Sequence, residues 1–306
     1  MNAIAVVGSG VIGRSWIRVF TRAGYEVRVW DPSPVAIEAA LQWHTKEAER
    51  DAHGGASAVA APDLGAASTG VTWVQESGPE ALDGKRAIFA ELDRLAPPQA
   101  ILASSTSTLD MTEIARGLPG AYRCVVAHPV NPPHVIPAVE VVGGTQTSAE
   151  TVDRAEEFLR SLGQVPVRMN HYVPGFLLNR MQAALVREAI SLLERGVADA
   201  NAIDAVIRDG LGLRWALMGP FGVANTNADG GAREYFTRYA GSFRWLMDDL
   251  GATPSLDAEQ IERIGLLTDA MVGDVAPARI REWRDRLLER LVALKRMSAP
   301  THLDDS

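Results

Sequence analysis

A chain of 306 residues with 47% hydrophobic and 22% charged side chains has the length for two domains and the balance of an ordinary globular protein. Its formal net charge of −8 argues against nucleic acid as the main partner. No apolar run approaches the roughly 20 residues that span a bilayer, so a membrane protein is not expected either. In chain order, Ile4-Ala5-Val6-Val7 reads as a buried strand, and Gly8-Ser9-Gly10-Val11-Ile12-Gly13 follows it at once. An amphipathic helix is predicted over 15–23, then a second strand over 26–30 that runs into Asp31.

A bare G-x-G-x-x-G arises by chance in a chain with 27 glycines. Here the strand before it, the helix after it and the acid 18 residues past the last glycine make it a dinucleotide-binding fingerprint. Gly8 permits the tight turn, Gly10 lets the backbone approach a pyrophosphate, and Gly13 lets the helix pack closely on the sheet. Val11 and Ile12 complete the cofactor-binding set, with the positive end of the helix facing the anion. Asp31 would accept hydrogen bonds from ribose hydroxyls and repel a 2′-phosphate. Pro32-Ser33-Pro34 offers no cation for that phosphate, so the cofactor is read as NAD rather than NADP.

Further strands are predicted over 71–75, 100–103, 123–127 and 138–142, with helical patterns between the early ones, such as 79–95. That alternation gives an α/β fold: a Rossmann-type doubly wound sheet of parallel strands with helices on both faces. The stretch 54–70, rich in Ala, Gly and Ser, reads as a mobile loop. A helix over 147–163 is predicted with a capping box from Thr147 to Glu150 and a glycine stop, and a short strand over 164–168 closes the first domain.

After Tyr172 the pattern is helical throughout: 175–195, a helix capped by Asp199 and ending near Gly210, then 231–250, 256–271 and 277–297. The expected division is an NAD-binding domain over 1–172 and an all-helical domain over 173–306. In the last helix Ile280, Trp283, Leu287, Leu291 and Leu294 form an apolar stripe, while its arginines alternate with acids as a solvated face does. Asp304 and Asp305 end a tail read as disordered. The lone Cys124 falls in a predicted strand and reads as a small buried residue in a reducing compartment. The first strand starts so near the N-terminus that no signal peptide is expected, which leaves the cytoplasm as the expected location.

A dense polar set lies downstream of the fingerprint. Ala103-Ser104-Ser105-Thr106-Ser107-Thr108-Leu109 leaves one strand, and His128-Pro129-Val130-Asn131-Pro132-Pro133 leaves the next. Glu140 sits on the strand after that. Ligands bind beyond the carboxyl ends of strands in such sheets, which places Ser107 and His128 where a dinucleotide's reactive ring would lie. A strand-end histidine can equally be a core residue with a satisfied ring. With Gly175-Phe176-Leu177-Leu178-Asn179-Arg180 and Gly210-Leu211-Gly212-Leu213-Arg214-Trp215-Ala216 added, the chain resembles the 3-hydroxyacyl-CoA dehydrogenase superfamily over nearly its whole length. Within it, the resemblance is to the L-gulonate 3-dehydrogenase (lambda-crystallin) branch.

The resemblance implies a catalytic pair, with His128 the general base and Glu140 its orienting partner. It matches Ser107 and Asn179 to residues that hydrogen-bond the reacting oxygen, and Glu80, Lys85 and Asn131 to positions flanking the nicotinamide ribose. The chemistry agrees, since imidazole titrates near working pH and a carboxylate behind it fixes the tautomer. Taken alone, Lys85 could be a solvated helix residue and Asn131 a turn former. Acyl-CoA members carry a longer, Lys-rich hairpin after the second strand. Residues 32–72 here offer only Lys46 and Arg50 against Glu38, Glu47, Glu49, Asp51 and Asp63, a poor surface for CoA phosphates.

A small hydroxy acid needs a carboxylate anchor, and Arg214, at the same motif in the branch, is the first choice, with an interface salt bridge equally open. His134, Arg180 and Asn227 are weaker candidates. No metal is expected, because His128, His134 and Glu140 fit no zinc spacing. The expected activity is NAD-dependent oxidation of a small L-3-hydroxy acid, L-gulonate foremost, to its 3-oxo acid. The resemblance implies a substrate-binding and dimerisation role for the helical domain and a homodimer joined through it; the apolar face of Phe176, Leu177, Met181 and Leu185 permits this and would equally serve an internal core. The alternatives are carnitine, with Trp215 and Asp229 lining a cation site, a diketo ester or acyl-CoA as substrate, a catalytically silent NAD-binding structural protein, and an NADH-binding redox sensor.

Overall fold

The computed structural model describes residues 3–49, 55–272 and 275–297. Arg50, Asp51, Asp304 and Asp305 lie outside the described residues. The chain divides into two compact units, Met1–Arg180 and Met181–Ser306.

The first unit opens with β1 (Ala3–Val7), α1 (Val11–Arg22), β2 (Glu26–Trp30) and α2 (Pro34–Glu49). β3 (Ala58–Ala60), α3 (Leu64–Ser68), β4 (Val71–Glu76) and α4 (Leu82–Leu95) follow. β5 (Ile101–Ser104), α5 (Met111–Ile114), β6 (Cys124–Pro129), β7 (Ala138–Gly143), α6 (Ala149–Ser161) and β8 (Val165–Arg168) complete the set. One eight-stranded sheet runs in the order β3-β2-β1-β4-β5-β6-β7-β8.

β1 lies inside the sheet, and its side chains feed both faces. Ala3, Ala5 and Val7 join one buried cluster with Phe89 and Leu102, while Ile4 and Val6 join another with Trp16 and Phe20. Burial on both faces explains why the strand is apolar throughout instead of alternating. The strand order reverses between β1 and β4, so a crevice opens beyond their carboxyl ends.

Four expectations need correction. First, the described part of the stretch 54–70 carries structure: β3 pairs with β2, and α3 is capped by Asp63, whose carboxylate accepts from the Ala66 amide at 2.7 Å. Second, the sheet is not wholly parallel, because β7 runs antiparallel to β6. The connection over 130–137 is too short for the crossover that a parallel pair demands. Third, Ser148 rather than Thr147 caps α6; the Thr147 hydroxyl is committed to the Cys124 carbonyl at 2.7 Å. Fourth, α7 (Leu178–Glu194) starts three residues later than its apolar pattern, because Gly175 and Phe176 both hold positive φ, 77° and 52°.

The second unit takes up the rest of α7, then α8 (Ala200–Ala205), capped by Asp199. The chain does not stop near Gly210 but continues through a π-helical turn, Val206–Leu211, into α9 (Gly212–Trp215). α10 (Pro220–Thr226), α11 (Gly231–Asp249), α12 (Ala258–Val272) and α13 (Pro277–Met297) follow, and no strand interrupts them among the described residues. Few apolar side chains here are buried, whereas Phe221 and Trp245 are 77% and 70% exposed. Among the described residues no helix is long and apolar enough to cross a membrane.

Candidate active site

The fingerprint turn is shaped by its own backbone. Gly8 has φ +93°, and a Cβ there would lie 2.7 Å from the Gly78 nitrogen. A Cβ on Gly13 would sit 1.9 Å from the Gly8 carbonyl oxygen, so its close approach is to the turn itself more than to the sheet. Beside Gly10 there is open space. Gly10 caps α1 without a side-chain hydrogen bond, and the first turn, beginning Val11-Ile12, carries no acid. Its leading amides are therefore left for an anion. Asp31 braces the turn: Oδ2 accepts from the Ser9 amide at 2.8 Å and hydroxyl at 3.0 Å, and Oδ1 from the Ser33 amide at 2.9 Å. A carboxylate has about four acceptor positions, so capacity for a ribose hydroxyl remains. These residues fit a dinucleotide.

A second centre joins the ends of β4 and β5. Glu80 Oε1 accepts from the Ser107 and Thr108 amides, both at 2.9 Å. It also accepts from the hydroxyls of Thr106 (2.7 Å), Thr108 (2.9 Å) and Ser107 (3.2 Å). Burial alone would raise the Glu80 carboxyl, but these donors and the Lys85 charge hold it below the usual carboxylate range. Lys85 is no solvated helix residue: it is buried, with Nζ 2.9 Å from both oxygens of Glu76 and 3.7 Å from Glu80. Glu76 accepts as well from Ser104 Oγ at 2.6 Å and the Gly78 amide at 2.7 Å. Sequence reasoning missed Glu76; its signal was an acid closing an otherwise strand-like run, Val71-Thr72-Trp73-Val74-Gln75-Glu76.

The third centre follows from the antiparallel pairing. His128 on β6 and Glu140 on β7 are register partners, and both are buried. His128 Nδ1 lies 2.7 Å from Glu140 Oε2. Glu140 Oε1 accepts from the Leu177 and Leu178 amides at 2.7 and 2.8 Å, where α7 begins. Burial would raise the Glu140 carboxyl too, but the His128 hydrogen bond and these amides lower it overall. Asn179 Nδ2 donates to the Ser107 carbonyl at 3.1 Å. His128, Glu140, Asn179, Ser107, Glu80 and Lys85 thus form one connected set.

Asn131 is exposed on the turn after β6. The His134 ring meets Trp43 edge-on at 5.3 Å, and Arg180 donates to the Pro174 carbonyl at 3.4 Å. Arg214, Asn227 and Asp229 are exposed residues of the helical unit, and Trp215 there is half-buried. Phe176 does not belong to an apolar face of α7; it is buried ahead of that helix with its ring against His128. Among the described residues no three His, Cys, Asp or Glu side chains gather as metal ligands would.

A fingerprint turn on a reversing sheet, with a histidine–carboxylate pair, defines an NAD-dependent oxidoreductase of the Rossmann type. Family models describe the two halves: the NAD binding domain of 3-hydroxyacyl-CoA dehydrogenase matches residues 3–172, and its C-terminal domain matches 175–256. The chain belongs to the 3-hydroxyacyl-CoA dehydrogenase family, and it is an NAD-dependent hydroxy acid dehydrogenase acting on a CH–OH group. It is 37% identical to lambda-crystallin of Oryctolagus cuniculus, over 97% of each chain. It is 39% identical to L-carnitine dehydrogenase of Streptomyces coelicolor, over 86% of this chain and 85% of that one. A solved structure of an NAD+-dependent dismutase, 5-formyl-3-hydroxy-2-methylpyridine 4-carboxylic acid 5-dehydrogenase, superposes with a TM-score of 0.81 at 28% identity, covering 97% of this chain and 98% of that one.

Proposed function

We propose that this enzyme oxidises a small L-3-hydroxy acid to the 3-oxo acid, with L-gulonate its leading substrate. The observation that supports the reading is the 2.7 Å contact between His128 Nδ1 and a Glu140 carboxylate kept ionised by the amides of Leu177 and Leu178. An ionised Glu140 accepts the Nδ1 hydrogen, which leaves Nε2 with the lone pair. Nε2 takes the substrate hydroxyl proton, and Glu140 steadies the imidazolium that results. Bound NAD supplies the hydride acceptor. Ser107 and Asn179 hold the reacting oxygen, and Glu80 keeps the Ser107 loop in place. Asp31 and the Gly8–Gly13 turn hold the dinucleotide, and Asn131 completes the ribose contacts. Arg214 is assigned to the substrate carboxylate on its chemistry alone.

Acyl-CoA suits the chain less well. Lys46 is the one Lys or Arg among the described residues of 32–72, and it lies on a helix that also carries Glu38, Glu47 and Glu49. L-carnitine is the second reading, favoured by the 39% identity to an L-carnitine dehydrogenase. We further propose a homodimer of this chain, paired through the exposed apolar stripe of α13.

NADH formation is measured over a panel of L-gulonate, L-carnitine, L-3-hydroxybutyrate and 3-hydroxybutyryl-CoA. The expected order puts L-gulonate first by kcat/KM; a preference for carnitine or the thioester would replace it. His128→Ala lowers kcat by ~10²–10⁴-fold while NADH binding persists. Unchanged turnover removes His128 as the base. Arg214→Gln raises the KM for hydroxy acid and leaves the KM for NAD unaltered.

A further inference from the structure

We propose that Phe176 is a positioning residue for the His128–Glu140 pair, packing its ring against the imidazole and steering two amides onto the carboxylate. The proposal rests on the reading of His128 as the base.

Phe176 has φ +52°, a left-handed conformation that bulky side chains rarely adopt. Such a residue persists only where its surroundings over-determine it. Two sets of contacts do so here. The ring is wholly buried, 5.3 Å from the His128 ring at a tilt of 46°, and Tyr172 meets its other side edge-on at 6.0 Å. The Phe176 amide donates to the Val173 carbonyl at 2.9 Å, closing the turn that precedes α7.

The backbone consequence is what ties the turn to the chemistry. Gly175 and Phe176 are consecutive left-handed residues, and the next two amides, Leu177 and Leu178, converge on one oxygen, Glu140 Oε1. The other oxygen of Glu140 is left to His128. Were residue 176 to relax to right-handed helix, α7 would start earlier and those amides would leave the carboxylate. The ring acts in the same direction from the other side. Glu140 fixes His128 only at Nδ1, about which the imidazole could still tilt; the Phe176 ring packed against it limits that tilt and keeps Nε2 on one heading. Simple core filling would involve neither the imidazole ring nor the two amides.

The test uses the full-length enzyme and Phe176→Leu, which keeps apolar bulk but loses the aromatic ring that holds residue 176 in place. Phe176→Met repeats it should the leucine variant fail to bind NADH. The expected result is a kcat lower by about 10–100-fold, as for a misplaced catalytic group. KM for NAD and the NADH dissociation constant stay within about twofold, and the solvent deuterium isotope effect on kcat rises because proton transfer limits the rate. In a His128→Ala background the same substitution causes no further loss, because the two act as one unit. A kcat within twofold of the parent overturns the proposal, as does a loss that multiplies with that of His128→Ala or falls on the KM for NAD alone. If His128→Ala itself leaves turnover intact, the functional reading fails first, and the two failures are distinct.

Discussion

Burying a lysine is unfavourable unless a carboxylate meets it with good geometry, and Lys85 shows how this chain does so. Its ammonium bridges both oxygens of Glu76 at 2.9 Å, and each side chain is only 2% exposed. Removing one partner leaves the other charged and unsolvated, at a cost of about 3–5 kcal/mol. Lys85→Met should therefore destabilise the first unit by that amount in urea unfolding, and adding Glu76→Gln should recover part of the loss. If the double variant is no more stable than the single one, the ion pair is not what organises the ends of β4 and β5. Glu80 is a different kind of residue, partly exposed and surrounded by donors from 106–108. Glu80→Ala should free the Ser107 loop and lower kcat by on the order of 10²-fold, with only a modest change in melting temperature. A drop in stability without a drop in kcat would make Glu80 a purely structural residue.

At the scale of elements, the fingerprint turn separates two demands that glycine meets. At Gly13 a methyl group would strike the Gly8 carbonyl at 1.9 Å, whereas beside Gly10 the space is open. Gly13→Ala should both destabilise the fold, by about 1–3 kcal/mol, and weaken NADH binding. Gly10→Ala should weaken NADH binding with little change in stability; equal losses of stability in the two variants would contradict this. The turn was legible because its strand, glycines, helix and acid are contiguous in sequence. Most strands and helices were legible for the same reason, since their apolar periods are local. What escaped was decided by distant partners. β3 is three residues, Ala58-Val59-Ala60, with too few side chains to carry a period, and only its pairing with β2 makes it a strand. Thr147 has the chemistry of a cap, yet β6 takes its hydroxyl first. Phe176 fits a helical stripe by spacing, but the contacts of His128 and Glu140 override its propensity. The antiparallel turn of β7 was readable from the short 130–137 connection, and it is that turn which sets His128 opposite Glu140.

Across the whole molecule, the two units differ in how their stability is held. In the first, Glu80 and Glu140 both ionise below the ordinary carboxylate range. Unfolding returns them to about 4.3, so below that pH the unfolded chain binds more protons than the folded one. Their contribution is complete above about pH 4.3 and is lost as acid passes through the folded values. Melting curves from pH 7 to pH 3 should show the gap between the parent and Glu140→Gln closing as pH falls; a constant gap would exclude this. Cys124, driven by burial and the Asp93 charge to about 12, stays a thiol and offers a clean reporter. It should resist a thiol-reactive dye until the first unit unfolds. The helical unit has another problem. Ile190, Ala200 and Ala224 are its buried apolar side chains among the described residues, while Trp283, Leu287, Leu291 and Leu294 stand out along α13. Exposed apolar stretches of this kind are unusual on monomers, which is the ground for proposing that this one pairs with a second copy. In the proposed homodimer a second copy would supply the same stripe in reverse, covering it on both chains at once. The unfolding temperature should then rise with protein concentration, by mass action. Leu287→Glu with Leu291→Glu should give a monomer by sedimentation and abolish that dependence. A parent chain that sediments as a monomer at every concentration, or a doubly charged variant that still pairs, would place the interface elsewhere or remove it.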